Sequence, residues 1–258
     1  MIQSSCPQIL VNQDEKVLTI QLNRPERKNA LSLAMYSALA DVIHQANQSS
    51  DIRVLVLKGQ DEFFTSGNDL MDFMNDPEIR DDHPVVRFIN ALMRSEKPVV
   101  AVVRGYAIGI GTTLLLHCDL VYVADDAKLQ LPFVNLGLCP EYASSYLLPR
   151  LIGKAKASEL FLLGESFYGA TAAELGIATA SVPWDELHEY AQEKIHRLAK
   201  QPPSAVKRTK ALISQNQMVI DQCLQAEYKA FAEGLGSEEC KESVMAFFEK
   251  RAADFSRF

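Results

Sequence analysis

Three short runs of almost continuous branched apolar residues constrain the fold of this chain most. They are RVLVLKG (53–59), KPVVAVVRG (97–105) and LVYVAD (120–125), and stretches with helical patterns separate them. A strand that is apolar at nearly every position is buried on both faces, which is usual in a parallel sheet covered by helices. This alternation, which continues to about residue 135, predicts an α/β fold.

The two ends of the chain differ from this centre. Residues 8–23 predict two strands around a turn, and Ser32 is a predicted N-cap for the amphipathic helix that follows. From about residue 140 nearly all of the chain has helical patterns, apart from a short predicted strand at 178–183. The predicted helical stretches are 68–95, 109–119, 141–152, 154–163, 171–175, 184–201, 203–214, 217–234 and 237–251. We therefore predict an α/β core over 1–195 and a helical C-terminal region over 196–258.

Composition and charge exclude several classes of protein. A chain of 258 residues that is 48% hydrophobic and 23% charged is neither disordered nor fibrous. Its formal net charge of −7, without a basic run, argues against a nucleic-acid partner.

No apolar run approaches the roughly 18 residues of a membrane span. The N-terminal segment lacks the pattern of a secretory signal. The five cysteines form no CxxC pair, and the histidines have no metal-ligand spacing, so we expect reduced thiols, no metal and a cytoplasmic location.

Two glycine-containing turns follow predicted strands. The first covers residues 64–70 and the second covers residues 105–111, immediately before a predicted helix. Such turns leave backbone N–H groups free, and two of them facing one point make an oxyanion hole. Tight packing between strand and helix is the other explanation for these glycines. The second turn fits neither the dinucleotide-binding GxGxxG pattern nor a phosphate-binding loop.

Four segments together resemble the crotonase superfamily, which is also called the enoyl-CoA hydratase/isomerase family, over nearly the whole chain. They are LNRPERKNAL (22–31), EFFTSGNDL (62–70), KPVVAVVRGYAIGIGTTLLLHCDLVYVADDAKL (97–129) and AFFEKR (246–251). The resemblance implies a ββα-spiral core, a helical C-terminal region that drives trimerisation, and an acyl-CoA thioester as substrate. Coenzyme A would then be part of the substrate, and no further cofactor would be required.

The resemblance also implies the roles of particular residues. The N–H groups of Ser66 and Ile110 would form the oxyanion hole, although glycine is usual where Ile110 stands. Hydratases of the family carry two glutamates at the positions of Thr113 and Phe133, and the absence of both carboxyl groups argues against efficient hydration. Glu141, in LCPEYASSYLLP (138–149), resembles the proton-transferring glutamate of peroxisomal-type Δ3,Δ2-enoyl-CoA isomerases.

Glu141 has two interpretations. A proline followed by a glutamate is typical of the first turn of a helix, where a carboxylate is favourable. Alternatively, Phe133, Leu138, Cys139 and Tyr142 surround Glu141 with a dry pocket, which would raise its pKa toward neutrality and suit a proton carrier. The resemblance favours the catalytic interpretation, and the two are compatible.

Further contacts with the substrate are implied by the same resemblance. Arg27 and Lys28 match a stretch that touches the CoA nucleotide, largely through its backbone. Phe247 and Lys250 match residues that reach CoA, in some cases from a neighbouring subunit; a packing aromatic and a solvated lysine are the alternative. The other predicted contacts lie in or near the two turns: Gly67, Asn68, Asp69, Leu70, Gly109 and Phe133. Asp69 is also a predicted cap for the next helix.

The sequence thus predicts an acyl-CoA isomerase that converts a 3-enoyl-CoA into a trans-2-enoyl-CoA, in fatty-acid or related acyl-CoA breakdown. The expected assembly is a homotrimer or a dimer of trimers, with no nucleic-acid or membrane partner. Three alternatives remain open at this point: an enoyl-CoA hydratase, a ring-altering aromatic acyl-CoA isomerase, and a catalytically silent acyl-CoA-binding protein.

Overall fold

A computed structural model describes residues 2–60, 62–75, 80–214 and 216–258, and in 73–75 it describes the backbone alone. The larger sheet has six strands in the order β1-β2-β3-β5-β7-β10. Their bounds are β1 Ile9–Asp14, β2 Val17–Leu22, β3 Val54–Lys58, β5 Val99–Val103, β7 Leu120–Ala124 and β10 Ala180–Val182. The β1–β2 hairpin is antiparallel and the remaining pairs are parallel. The predicted apolar strands are therefore confirmed, and so is the short strand expected within 178–183.

A second, smaller sheet was absent from the sequence prediction. Its order is β4-β6-β8-β9. Its strands are β4 Phe63–Thr65, β6 Tyr106–Ile108, β8 Lys128–Gln130 and β9 Phe167–Tyr168. With only two or three residues each, these strands are too short to show an alternating pattern. The first predicted glycine turn (64–70) begins within β4, and the second (105–111) contains β6.

The helices fill the intervals between strands and form most of the C-terminal part. They are α1 Leu33–Gln48, α2 Leu70–Asn75, α3 Pro84–Met93, α4 Ile110–Thr113, α5 Ser144–Ile152, α6 Lys154–Leu163, α7 Gly169–Glu174, α8 Leu187–Ala199, α9 Pro203–Ile213, α10 Gln217–Leu235 and α11 Glu238–Glu249. Ser32 caps α1, since its side chain accepts from the Met35 N–H as predicted. The single helix expected at 109–119 is instead α4 followed by a 3₁₀ turn at Leu114–His117. Of the helical stretch expected at 68–95, residues 76–79 lie outside the described residues.

The order of elements repeats a unit of one strand in each sheet followed by helix. β3 and β4 precede α2 and α3, β5 and β6 precede α4, and β7 and β8 precede α5. This repetition is the predicted ββα spiral, and the α/β fold class is confirmed. The division at 195/196 stays a prediction, as does trimerisation; α8 runs across that position. Among the described residues, no helix is long and apolar enough to cross a membrane.

Candidate active site

The first glycine turn is joined to the chain segment that precedes α1. The Leu31 N–H donates to the Gly67 carbonyl at 2.8 Å, and the Asp69 N–H donates to the Leu31 carbonyl at 3.0 Å. Because successive backbone groups of an extended segment point to opposite sides, the intervening N–H of Asn68 points away from Leu31. That N–H has no hydrogen-bond partner among the described residues. It is therefore an available donor.

Ser66 is differently placed from its predicted role. Its N–H donates to the Lys28 carbonyl at 3.0 Å, and its hydroxyl lies 3.4 Å from the Arg27 carbonyl. An N–H that is used within the chain cannot also stabilise a substrate oxyanion. In this structure Asn68, two residues beyond Ser66, is an available donor of the turn.

The second turn supplies another N–H group. Gly109 has φ 57° and ψ −118°, a conformation that glycine adopts without steric cost, and its carbonyl accepts from the Thr112 and Thr113 N–H groups at 2.9 and 3.0 Å. Ile110 is the first residue of α4, so its N–H has no partner within the helix. The two turns are in close contact at Gly111 and Thr65. A Cβ atom added at Gly111 would lie only 2.6 Å from the Thr65 Cγ2.

Glu141 lies between the two turns. Its side chain is buried, and its Oε1 has no hydrogen-bond partner among the described residues. Burial raises the pKa of Glu141 to about 8, with a further contribution from the neighbouring Glu227 carboxylate. Hydrogen bonding from the Asn68 and Thr113 side chains opposes that shift. The carboxyl thus lies near one residue of the first turn and one residue of the helix that follows the second.

Glu141 does not lie in the first turn of a helix, as one interpretation predicted. The helix predicted from residue 141 begins at Ser144, after Tyr142 and Ala143, which have left-handed φ values of 61° and 54°. The carboxylate at the start of α5 belongs to Glu227 of α10, which accepts from the Ala143 N–H at 2.6 Å. Glu227, and not Glu141, therefore provides the carboxylate at the start of this helix.

Tyr36 fixes the orientation of the Asn68 side chain. The hydroxyl of this fully buried residue of α1 donates a hydrogen bond to the Asn68 Oδ1. Because Oδ1 is occupied, the amide presents its Nδ2 donor toward Glu141. Sequence reasoning missed Tyr36, since a tyrosine on the apolar face of α1 carries no signal beyond packing.

A narrow cavity of about 20 Å³ extends from Glu141. It is lined mainly by residues of α3 and α10: His83, Val85, Val86, Ile89, Glu141, Glu227, Tyr228 and Phe231. A larger surface groove of about 390 Å³ beside β1 and β2 shares no lining residue with this cavity. The dry surroundings expected for Glu141 are present, but α3 and α10 provide them.

The residues expected to surround Glu141 make other contacts. The Tyr142 ring stacks on His117 at 4.1 Å between centroids, and its hydroxyl donates to the Ile89 carbonyl at 3.1 Å. The ring of Phe133 lies 6.5 Å from that of Phe161. None of the four residues expected to surround Glu141 lines the cavity that extends from it.

The remaining predicted substrate contacts fall into two groups. Arg27 and Lys28 are exposed beside the first turn, and Leu70 begins α2. Asp69 pairs with Arg24 at 2.8 Å and accepts from the Met71 N–H at 3.2 Å, so its predicted capping role is confirmed.

The second group lies on the surface at the end of α11. Phe247 is 65% exposed, and its ring contacts that of Phe248. Lys250 is exposed and has a left-handed backbone at the end of the helix. Within one chain, neither residue has a described contact with Glu141.

Comparison with known proteins identifies the family. The model of the enoyl-CoA hydratase/isomerase family matches residues 12–257. The chain is 32% identical over 252 residues to 2,3-dehydroadipyl-CoA hydratase of Escherichia coli, covering 96% of this chain and 98% of that protein. It is 30% identical to human enoyl-CoA delta isomerase 2, covering 95% of this chain and 64% of that protein. The structure of Pseudomonas aeruginosa OdaA matches with a TM-score of 0.91 and 43% identity, covering 94% of this chain and 99% of that one.

The chain belongs to the enoyl-CoA hydratase/isomerase family and is an enzyme of that family. The relatives include both hydratases and isomerases, so membership of the family does not distinguish the two reactions.

Proposed function

We propose that this enzyme moves the double bond of a 3-enoyl-CoA to the 2-position, and that Glu141 transfers the proton. The observation that carries the proposal is the buried carboxyl of Glu141 beside both turns, whose Oε1 has no hydrogen-bond partner among the described residues. A 1,3-proton shift requires one group that can remove a proton and return it two carbons away. Glu141 meets this requirement without a second carboxylate.

The oxyanion donors in this proposal are the N–H groups of Asn68 and Ile110. Asn68 replaces Ser66, whose N–H is occupied by the Lys28 carbonyl. When the carboxylate of Glu141 takes a proton from C2, the electron pair of that C–H bond delocalises into the thioester as a dienolate. Two N–H donors placed at the thioester oxygen stabilise the developing negative charge. Glu141 then returns the proton at C4, and the carboxylate is regenerated.

The raised pKa of Glu141 suits both halves of this cycle. A carboxyl with a pKa of about 8 is a stronger base when ionised than an exposed glutamate, and it still holds a proton near neutral pH. Turnover begins with the ionised form, so the rate should increase with pH until the pKa is passed.

Hydration is the second candidate, since 2,3-dehydroadipyl-CoA hydratase is among the relatives. Hydration needs one group to activate water and another to protonate the neighbouring carbon. Thr113 and Phe133, at the positions where the resemblance implies glutamates, are buried and have no carboxyl group. Among the described residues, a second carboxylate near Glu141 is that of Glu227, which accepts hydrogen bonds from Ala143 and Ser145. Because Thr113 and Phe133 lack a carboxyl group and Glu227 is held by these hydrogen bonds, the site favours isomerisation over hydration.

Binding of the CoA portion and assembly belong to the same proposal. Arg27 and Lys28 lie beside the first turn, where exposed backbone and cationic side chains suit a nucleotide phosphate. The proposed homotrimer is supported by a series of large apolar side chains exposed on the C-terminal helices: Leu212, Ile213, Met218, Phe247 and Phe248. Light scattering should therefore give three or six times the mass of one chain.

A spectrophotometric comparison of two substrates tests the proposed function. We expect conversion of 3-hexenoyl-CoA to its 2-enoyl isomer, and little or no hydration of crotonyl-CoA. Hydration of crotonyl-CoA without turnover of 3-hexenoyl-CoA would show that the enzyme is a hydratase.

A further inference from the structure

A second buried glutamate lies next to Glu141 and has no role in the proposed proton transfer. Glu227 is on α10, within the predicted C-terminal region, and only 6% of it is exposed. Its Oε2 accepts from the Ala143 N–H at 2.6 Å. Its Oε1 accepts from the Ser145 N–H at 3.0 Å and from the Ser145 hydroxyl at 2.5 Å. One side chain thus holds the backbone immediately after Glu141.

The backbone that Glu227 holds has an unfavourable conformation. Tyr142 and Ala143 are consecutive non-glycine residues with φ values of 61° and 54°. Such residues cost free energy unless their surroundings fix them. Ala143 is also the N-cap of α5 and has no side chain that can accept a hydrogen bond. The Glu227 carboxylate supplies the missing acceptor, so it determines how the chain passes from Glu141 into α5.

The two carboxyl groups have different surroundings. Burial raises the pKa of Glu227, and four hydrogen bonds to its carboxylate, from Ala143, Ser145 and Cys223, oppose that shift. The Oε1 of Glu141, in contrast, has no partner among the described residues. A charged Glu227 makes ionisation of Glu141 less favourable and raises the pKa of Glu141, in addition to the larger effect of burial. The other titratable groups around the pair come from α1, the start of α3, the 138–143 loop and α10: Tyr36, His83, Cys139, Tyr142, Cys223 and Tyr228.

We propose that Glu227 is a positioning residue for Glu141: its carboxylate fixes the strained turn that follows Glu141, and its buried charge is coupled to the Glu141 carboxyl. The effect of Glu227 on catalysis rests on the proposed role of Glu141 as the proton carrier. It makes α10 a part of the active site, although α10 contributes no group to the chemical step.

Glu227→Gln is the informative variant. The glutamine Oε1 can still accept from Ser145, whereas its Nε2 faces the Ala143 N–H and no negative charge remains. Glu233→Gln is the matched control, because Glu233 is an exposed glutamate on the same helix. Infrared titration measures Glu141 directly, through the protonated-carboxyl band that the Glu141→Gln variant lacks.

We expect the midpoint of this band to move to lower pH in Glu227→Gln and to stay at the wild-type value in Glu233→Gln. Turnover of 3-hexenoyl-CoA at its pH optimum should fall about 10- to 100-fold in Glu227→Gln, because the carboxyl is displaced from its reacting position. A purely structural role would lower turnover and leave the midpoint unchanged, and that result would overturn the proposal.

A second variant and a readout that does not depend on turnover complete the test. If Glu227→Gln does not fold, Ser145→Ala removes one donor from Glu227 at an exposed residue, and the midpoint should move in the same direction by a smaller amount. A wild-type midpoint in Ser145→Ala would then contradict the proposal. The infrared titration does not depend on turnover, so absence of isomerase activity would refute the proposed function and still leave the coupling measurable.

Discussion

Replacing Glu141 by glutamine should make the protein more stable at neutral pH, because it removes the cost of keeping a buried carboxyl protonated above its ordinary pKa. Burial is the main reason that the pKa of Glu141 rises from 4.5 to about 8 in the folded protein. Between these pH values the folded state binds one proton more than the unfolded chain. The free energy of unfolding of the wild type therefore falls by about 1.4 kcal/mol per pH unit. At pH 7, which lies 7 − 4.5 = 2.5 units above the unfolded value, the cost is about 3 kcal/mol.

Urea denaturation of the wild type and of Glu141→Gln at about pH 5.5 and 7.5 measures this effect, at one fixed protein concentration because subunit association contributes to stability. The stability advantage of the glutamine variant should be larger at the higher pH by about 3 kcal/mol, from two units of this slope. Glu233→Gln, which removes an exposed carboxylate, should show no such increase. Equal pH slopes for the wild type and Glu141→Gln would refute the reasoning, since Glu141 would then have an ordinary pKa.

Three further predictions concern catalysis. Tyr36→Phe removes the hydroxyl that orients the Asn68 amide and should lower kcat about tenfold without changing the circular dichroism spectrum; an unchanged kcat would exclude this role. Ile110→Pro removes one oxyanion N–H at a first helical position that tolerates proline, and kcat should fall about 100- to 1000-fold, whereas Ile110→Ala should retain most activity. The value of kcat/KM should increase about tenfold per pH unit up to the Glu141 pKa of about 8, so a profile that is flat from about pH 6 to 9 would contradict ionisation of this base.

Much of the main sheet can be predicted from the sequence, because its strands are continuous apolar runs. β3 and β5 are buried along most of their length, which leaves few other structures open to such segments. The N-cap role of Ser32 can be predicted as well, because a serine before an apolar helical pattern commonly caps the helix. The second sheet cannot be recognised in this way, because its strands are shorter than the pattern that would reveal them.

The details of the site depend on contacts that sequence patterns do not contain. Choosing between Ser66 and Asn68 as donor requires the hydrogen bonds made by Leu31 and Lys28, which lie far from both in sequence. The left-handed backbone at Tyr142 and Ala143 is unfavourable for both residue types, so a helix starting at residue 141 is the natural prediction. Its actual start depends on Glu227, whose position on a helix with many exposed residues gives no sign of burial.

The most direct test of the central claim is the turnover of 3-hexenoyl-CoA by Glu141→Gln, measured together with its affinity for a saturated acyl-CoA that cannot react. If Glu141 transfers the proton, kcat should fall by about 100- to 10,000-fold while the affinity stays close to that of the wild type. A variant that binds the saturated acyl-CoA normally and retains most of its isomerase activity would show that another group transfers the proton.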